Sequence, residues 1–233
     1  MFSIAEQLEN VRQSIQKATK AAGRPDGVVT LLPVSKKKGP KILAEAFHLG
    51  CRCFGENYLS EALEKQEALA QILGDQAQEI EWHFIGPIQS NKTKAIAENF
   101  AWVQSIDREK TAIRLSTQRP IGMAPLNVCI QVNIDAEHTK SGILSRDISD
   151  FADFIHNLEH LNLRGLMCIP SAKSDERALM LSMERMHTAF KQLQLRYKSV
   201  DTLSMGMSAD QETAILYGST MVRVGTAIFG ARG

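Results

Sequence analysis

Residues 127–134 read NVCIQVNI, and residues 163–170 read LRGLMCIP. Both runs are short and apolar nearly throughout, not at every second position. A strand with one wet face alternates; runs like these suit strands buried on both faces, as in a parallel sheet covered by helices. Six similar runs surround them: TLLPVSK (30–36), CRCFGEN (51–57), EWHFIGP (81–87), WVQSID (102–107), TLSMGM (202–207) and MVRVGTAIFG (221–230). Their starts advance by 21, 30, 21, 25, 36, 39 and 19 residues. A strand–helix–strand unit occupies roughly 30 residues, so most gaps hold one helix.

The stretches between the runs carry helix signals. Ser3-Ile4-Ala5-Glu6 fits a capping box, and Ile4, Leu8, Val11 and Ile15 follow at helical spacing. Gly23 and Pro25 then stop that helix. Ser90, Asp107 and Ser145 are candidate N-caps, and Gly50, Gly74 and Gly218 candidate stops. Leu179, Met183, Met186, Phe190 and Leu193 form a stripe that reads as core packing.

Eight strands and seven connecting helices in 233 residues predict an α/β fold, a (β/α)8 TIM barrel, as a single domain over residues 1–233. Only three residues follow the eighth run. The last helix is therefore expected to be missing, with the N-terminal helix covering the face between strands 8 and 1. A doubly wound open sheet is the alternative. Against it, no GxGxxG follows the first strand and no GxxxxGK[ST] occurs.

Composition narrows the function. Apolar residues make up 44% and charged residues 23%, which excludes a disordered chain, a collagen and a coiled coil. The net charge is +1, so no global basic field draws nucleic acid or an anionic membrane. The N-terminus lacks a secretory pattern, and no apolar stretch approaches 18 residues. A cytoplasmic protein is expected. Cys51, Cys53, Cys129 and Cys168 lack metal-ligand spacing and read as small reduced core residues.

A barrel carries its active site at the C-terminal ends of its strands. The polar residues there include Ser35, Lys36, Glu56, Asn57, Asn133, Ser204, Ser208, Arg223, Gly225 and Thr226. A lysine closing an apolar strand can be desolvated, which frees its amine for Schiff-base chemistry. Against that, Lys36-Lys37-Lys38 also reads as a solvated basic turn, which composition alone favours. Alternation groups Lys36 with Leu32 and Val34 and leaves open which side is the interior.

Barrels often bind phosphate after strands 7 and 8. Ser208 could cap a helix starting near Ala209, with Gly225 and Thr226 at the next strand end. An ordinary cap and a tight turn explain the same residues. Arg223, inside an apolar strand, must meet a carboxylate or a ligand. His83 reads as a core histidine, and Asp107 as a helix cap. No metal site, nucleophile elbow or paired-carboxylate motif emerges.

The segments PVSKKK, FGENY, EWHFIGPIQSNK, KSGI, LRGLMCIP, LSMGMSAD and GSTMVRVGTAIFGAR resemble the YggS/PROSC family of pyridoxal 5′-phosphate (PLP) homeostasis proteins. The likeness runs from about residue 4 to residue 232. Pro33 and Lys37 depart from the family pattern, and neither removes a ligand. The family resembles the N-terminal barrel domain of alanine racemase, standing alone. The resemblance implies PLP as cofactor, held through an internal aldimine by Lys36. It assigns the phosphate to Ser208, Gly225 and Thr226, with Ser204 a weaker candidate. Arg223 would face the pyridine nitrogen and Asn57 would lie near the ring. A cation there disfavours the protonated ring and weakens it as an electron sink.

A racemase of this fold uses a tyrosine from a second domain, for which this chain has no room. Its own Tyr58, Tyr197 and Tyr217 fall in helical segments. The resemblance therefore implies a non-enzyme that binds PLP and maintains the intracellular vitamin B6 balance, buffering the cofactor or delivering it to PLP-requiring apoenzymes. A PLP-dependent amino-acid racemase is the alternative, and a cofactor-free Schiff-base aldolase a third reading. Neither a nucleic-acid nor a membrane partner is implied. A monomer is expected, and the helix faces are compatible with a dimer as well. Lys37, Lys38 and Lys140 are left open as further PLP sites.

Overall fold

The computed structural model describes residues 3–137, 139–171 and 175–230. All eight expected strands are present. They are β1 (Thr30–Pro33), β2 (Cys53–Glu56), β3 (Glu81–Phe84), β4 (Trp102–Ile106), β5 (Leu126–Val132), β6 (Leu161–Cys168), β7 (Thr202–Ser204) and β8 (Met221–Val224). Every paired neighbour is parallel, in the order β1-β8-β7-β6-β5-β4-β3-β2. A single parallel bridge, Val34 to Gly55, joins β1 to β2 and nearly closes the ring. The fold is a (β/α)8 barrel.

The helices are α1 (Ile4–Ala21), α2 (Pro40–His48), α3 (Leu59–Leu73), α4 (Thr93–Asn99), α5 (Glu109–Gln118), α6 (Ile148–His156), α7 (Glu176–Arg196), α8 (Gln211–Leu216) and α9 (Thr226–Phe229). In α1 the capping box forms: Ser3 Oγ accepts from the Glu6 N–H, and the Glu6 carboxylate accepts from the Ser3 N–H at 2.8 Å. Leu8, Val11, Ile15 and Ala18 bury its apolar stripe, and α1 packs against α8 and α9. This is the expected covering role beside strand 8.

Several expectations are corrected. Strand 1 stops at Pro33, so Ser35 and Lys36 lie beyond it, and Lys36 sits in a turn. Strand 8 stops at Val224, not 230. The one-turn helix α9 follows, so the last helix is shortened, not missing. Gly230, at φ 77°, ends it in a conformation glycine favours. Ala231–Gly233 lie outside the described residues. Ser90, Asp107 and Ser145 cap no helix; Lys92, Arg108 and Asp147 occupy those positions. The polar residues serve longer loops instead. Asp107 accepts from the Gly142 N–H at 3.3 Å, and the Ser90 carbonyl accepts from Thr93 and Arg114.

The main apolar core lies between the sheet and the helices. Trp102, Cys129 and Met167 form a separate cluster inside the ring. A polar chain crosses the interior beside it. Arg223 Nη1 donates to Ser204 Oγ at 2.6 Å, Ser204 donates to Gln104 Oε1 at 2.7 Å, and Gln104 Nε2 donates to His83 Nδ1 at 3.0 Å. His83 stacks on Trp102 at 5.0 Å, fully inside, which confirms it as a core residue.

Burial pushes the His83 pKa down from 6.5 to about 3. The unfolded chain therefore takes up a proton at His83 below about pH 6.5 that the folded chain refuses. Stability falls with pH across that window. Between pH 7 and pH 5 the expected loss is about 2 kcal/mol. His83→Asn keeps an acceptor for Gln104 and should lack this component in urea titrations at the two pH values.

Candidate functional site

The strand ends surround a cavity of about 320 Å³, within the usual span for small-molecule sites. Six of the seven residues assigned from the sequence line it: Lys36, Asn57, Ser208, Arg223, Gly225 and Thr226. Val34, Ile85, Ile169 and Met207 supply apolar wall. Lys36 and Val34 both line it, so the side of β1 that alternation left undecided is the interior side.

Ser204 does not reach the cavity. It is fully buried one layer below, where its carbonyl and hydroxyl both hold Arg223. Ser208 also departs from expectation. It caps nothing, because α8 starts at Gln211, and it stands exposed in the turn after β7. Asp210 Oδ1 shapes that turn by accepting from the Met207 N–H at 2.6 Å.

Arg223 is buried and meets no carboxylate among the described residues. Its Nη1 donates to the Ser204 carbonyl at 2.7 Å and its Nη2 to the Cys168 carbonyl at 2.8 Å. Desolvation lowers its pKa, so the burial is unfavourable to the charge. Asn57 Oδ1 is buried in the cavity wall without a hydrogen-bond partner among the described residues. At Gly225 an added Cβ would stand 3.0 Å from the Val34 carbonyl, a tight contact that β1 would have to yield to by a few tenths of an ångström.

The electrostatics of the wall are one-sided. Lys36, Lys38 and Arg223 line it, and no Asp or Glu does so among the described residues. Such a wall takes an anion. Among the described residues it holds no tyrosine or histidine either. Tyr58, Tyr197 and Tyr217 sit at the ends of α3, α7 and α8. Burial raises the thiols of Cys129 and Cys168 to about 12, so both stay protonated, as expected of core cysteines. No group of metal-ligating side chains occurs among the described residues, and no described helix is long and apolar enough to cross a membrane.

Residues 7–233 match the family model "Alanine racemase, N-terminal domain". The chain is 50% identical over 232 residues to the pyridoxal phosphate homeostasis protein of Pseudomonas aeruginosa, covering 100% of this chain and 97% of that one. It is 48% identical to that of Escherichia coli, covering 100% and 98%. The chain belongs to the pyridoxal phosphate homeostasis protein family. Among solved structures, PipY of Synechococcus elongatus with PLP bound superposes with a TM-score of 0.81 at 30% identity, covering 98% of this chain and 100% of PipY. Alanine racemase of Corynebacterium glutamicum shares the barrel at 15% identity and a TM-score of 0.71, and this homeostasis-family chain spans 61% of its length.

Sequence reasoning did not assign Lys65, Gln104, Ile85, Ile169 or Met207. Lys65 had a signal: Ala62, Lys65, Leu69 and Leu73 are the buried positions of α3, so a lysine stands in an apolar stripe. Gln104 had none, since one glutamine in an apolar strand does not reveal what lies across the barrel.

Proposed function

We propose that this chain is a PLP-binding protein of intracellular vitamin B6 homeostasis, one barrel domain over residues 1–233, that holds the cofactor at the barrel mouth. The observation that carries the reading is the cavity wall: among the described residues it presents Lys36, Lys38 and Arg223, an Asn57 oxygen without a hydrogen-bond partner, and no acid. PLP, when bound, supplies an aldehyde that an amine can attack. Lys36 is the amine and holds the cofactor by a reducible carbon–nitrogen bond. Ser208, Gly225 and Thr226 hold the phosphate at the rim. Arg223 fixes the ring end from below, and Ser204 and the Cys168 carbonyl hold Arg223. Asn57 lies beside the ring.

Turnover is not part of this role. Among the described residues the wall offers no tyrosine or histidine as the second acid or base of a racemase, and Arg223 cannot accept a proton from the ring. The protein buffers PLP or passes it to PLP-requiring apoenzymes, as a monomer in the cytoplasm. Its four free cysteines suit a reducing compartment.

The test is a PLP titration followed by absorbance. The protein should turn yellow and saturate at one PLP per chain. A colourless protein at saturating PLP would end the reading. Arg223→Leu removes a buried charged donor and should weaken PLP binding about tenfold to a hundredfold in the same titration.

A further inference from the structure

The turn that carries Lys36 is fastened from behind. Lys65 on α3 is buried, and its ammonium makes three short contacts: the Ser35 carbonyl at 2.7 Å, Glu56 Oε1 at 2.7 Å and Glu61 Oε1 at 2.6 Å. Its three donors are thereby used. Each acceptor leads to the turn. The Ser35 carbonyl also accepts from the Lys38 N–H at 3.0 Å, closing the turn. Glu56 Oε1 also accepts from Ser35 Oγ at 2.6 Å. Glu61 Oε1 also accepts from the Lys37 N–H.

Lys37 has φ 61°, a left-handed conformation unfavourable for a residue with a Cβ. A turn so built does not hold itself. It is kept by contacts on both sides of Lys36: Ser35 before it and Lys37 after it. Buried ion pairs add little net stability, because desolvation offsets the attraction. A leucine at position 65 would continue the stripe of α3 without that cost. What the ammonium does that leucine cannot is gather three oxygens and fix the backbone around the neighbouring amine.

We propose that Lys65, with Glu56 and Glu61, is a positioning element that sets the Lys36 amine for bond formation with the aldehyde of the ligand. The proposal rests on the PLP reading above. In that step the neutral Lys36 amine bonds to the aldehyde carbon. One water leaves with the aldehyde oxygen, and a carbon–nitrogen double bond remains. Neither Lys65 nor the two glutamates touch the cavity, so they act only through the turn.

The test separates positioning from pocket integrity. Lys65→Met combined with Glu56→Gln removes both buried charges together, so neither is left stranded. Two quantities are measured on wild type and variant: the rate of borohydride-trappable PLP attachment at Lys36, and the affinity for pyridoxine 5′-phosphate, which has the ring and phosphate but no aldehyde. Attachment should slow about tenfold to a hundredfold, with affinity for the alcohol unchanged. Unchanged attachment in a folded variant overturns the proposal. So does an equal loss of both quantities, which would mean general disruption of the pocket. If the double variant does not fold, Glu61→Ala removes the acceptor shared by the Lys37 N–H and Lys65 and should shift attachment in the same direction; no shift overturns the proposal. A wild-type chain that forms no bond at Lys36 defeats the PLP reading itself, and this proposal with it.

Discussion

Lys36→Ala should bind PLP without capturing it. After incubation with PLP and borohydride, wild type is expected to carry one reduced pyridoxyl group per chain and the variant none. Retention of PLP on dialysis should fall at least about a hundredfold, because a bond to a pre-placed amine replaces a bimolecular encounter. The non-covalent part should survive. Ser208, Gly225, Thr226 and Arg223 remain in the wall, so pyridoxine 5′-phosphate should bind the variant as it binds wild type. Lys37 is exposed and is not among the residues that line the cavity, so it is expected to stay unlabelled. Lys38 lines the cavity as a second amine. A variant labelled to the wild-type extent at Lys38 would show that the wall, and not position 36, selects the amine.

The second large effect concerns the barrel itself. Gly165→Ala is expected to cost on the order of 4 kcal/mol, the sum of severe overpacking and backbone strain. Gly165 has φ 151°, and a Cβ there would stand 1.8 Å from the Thr202 carbonyl. That neighbour is backbone of the adjacent strand, so the seam between β6 and β7 must part. The ladder explains the glycine. Val128 pairs with Leu163 but Cys129 pairs with Gly165, leaving Arg164 as a bulge. Parting this seam also moves the Cys168 carbonyl and Ser204, the two supports of Arg223. Urea unfolding should show the loss. Gly39→Ala, with no atom within 4 Å of its added Cβ, serves as the control and should change the midpoint little.

The eight strands were legible because both of their faces are buried. Helices cover one and the barrel interior the other, so the runs stand out as apolar throughout, and each starts within two residues of its expected position. Their ends were not legible. Ser35 and Lys36 continue the apolar run in sequence, yet the chain turns at Ser35–Lys38 because contacts from α3, distant in sequence, bend it there. The end of strand 8 was misread for a related reason. TAIF suits a strand or one helical turn, and Gly230 decides for the turn only in three dimensions.

The site divides the same way. Lys36, Asn57, Ser208, Arg223, Gly225 and Thr226 converge because strand ends in a barrel share one rim. Ser204 was drawn to that rim by the same rule, but its side chain points below it and supports Arg223. The question left by the sequence, whether Arg223 meets a carboxylate or a ligand, is answered in part: among the described residues, neutral oxygens hold it. The placement of Lys65 under Ser35 needed the packing of α3 on the barrel, which no local pattern records.

A crystal structure of the wild-type chain soaked with PLP tests the central claim most directly. The account predicts continuous density from Lys36 Nζ to the ligand, the phosphate against Ser208, Gly225 and Thr226, and Arg223 at the ring. An unmodified Lys36, with PLP joined to another lysine or absent from the barrel mouth, would contradict it.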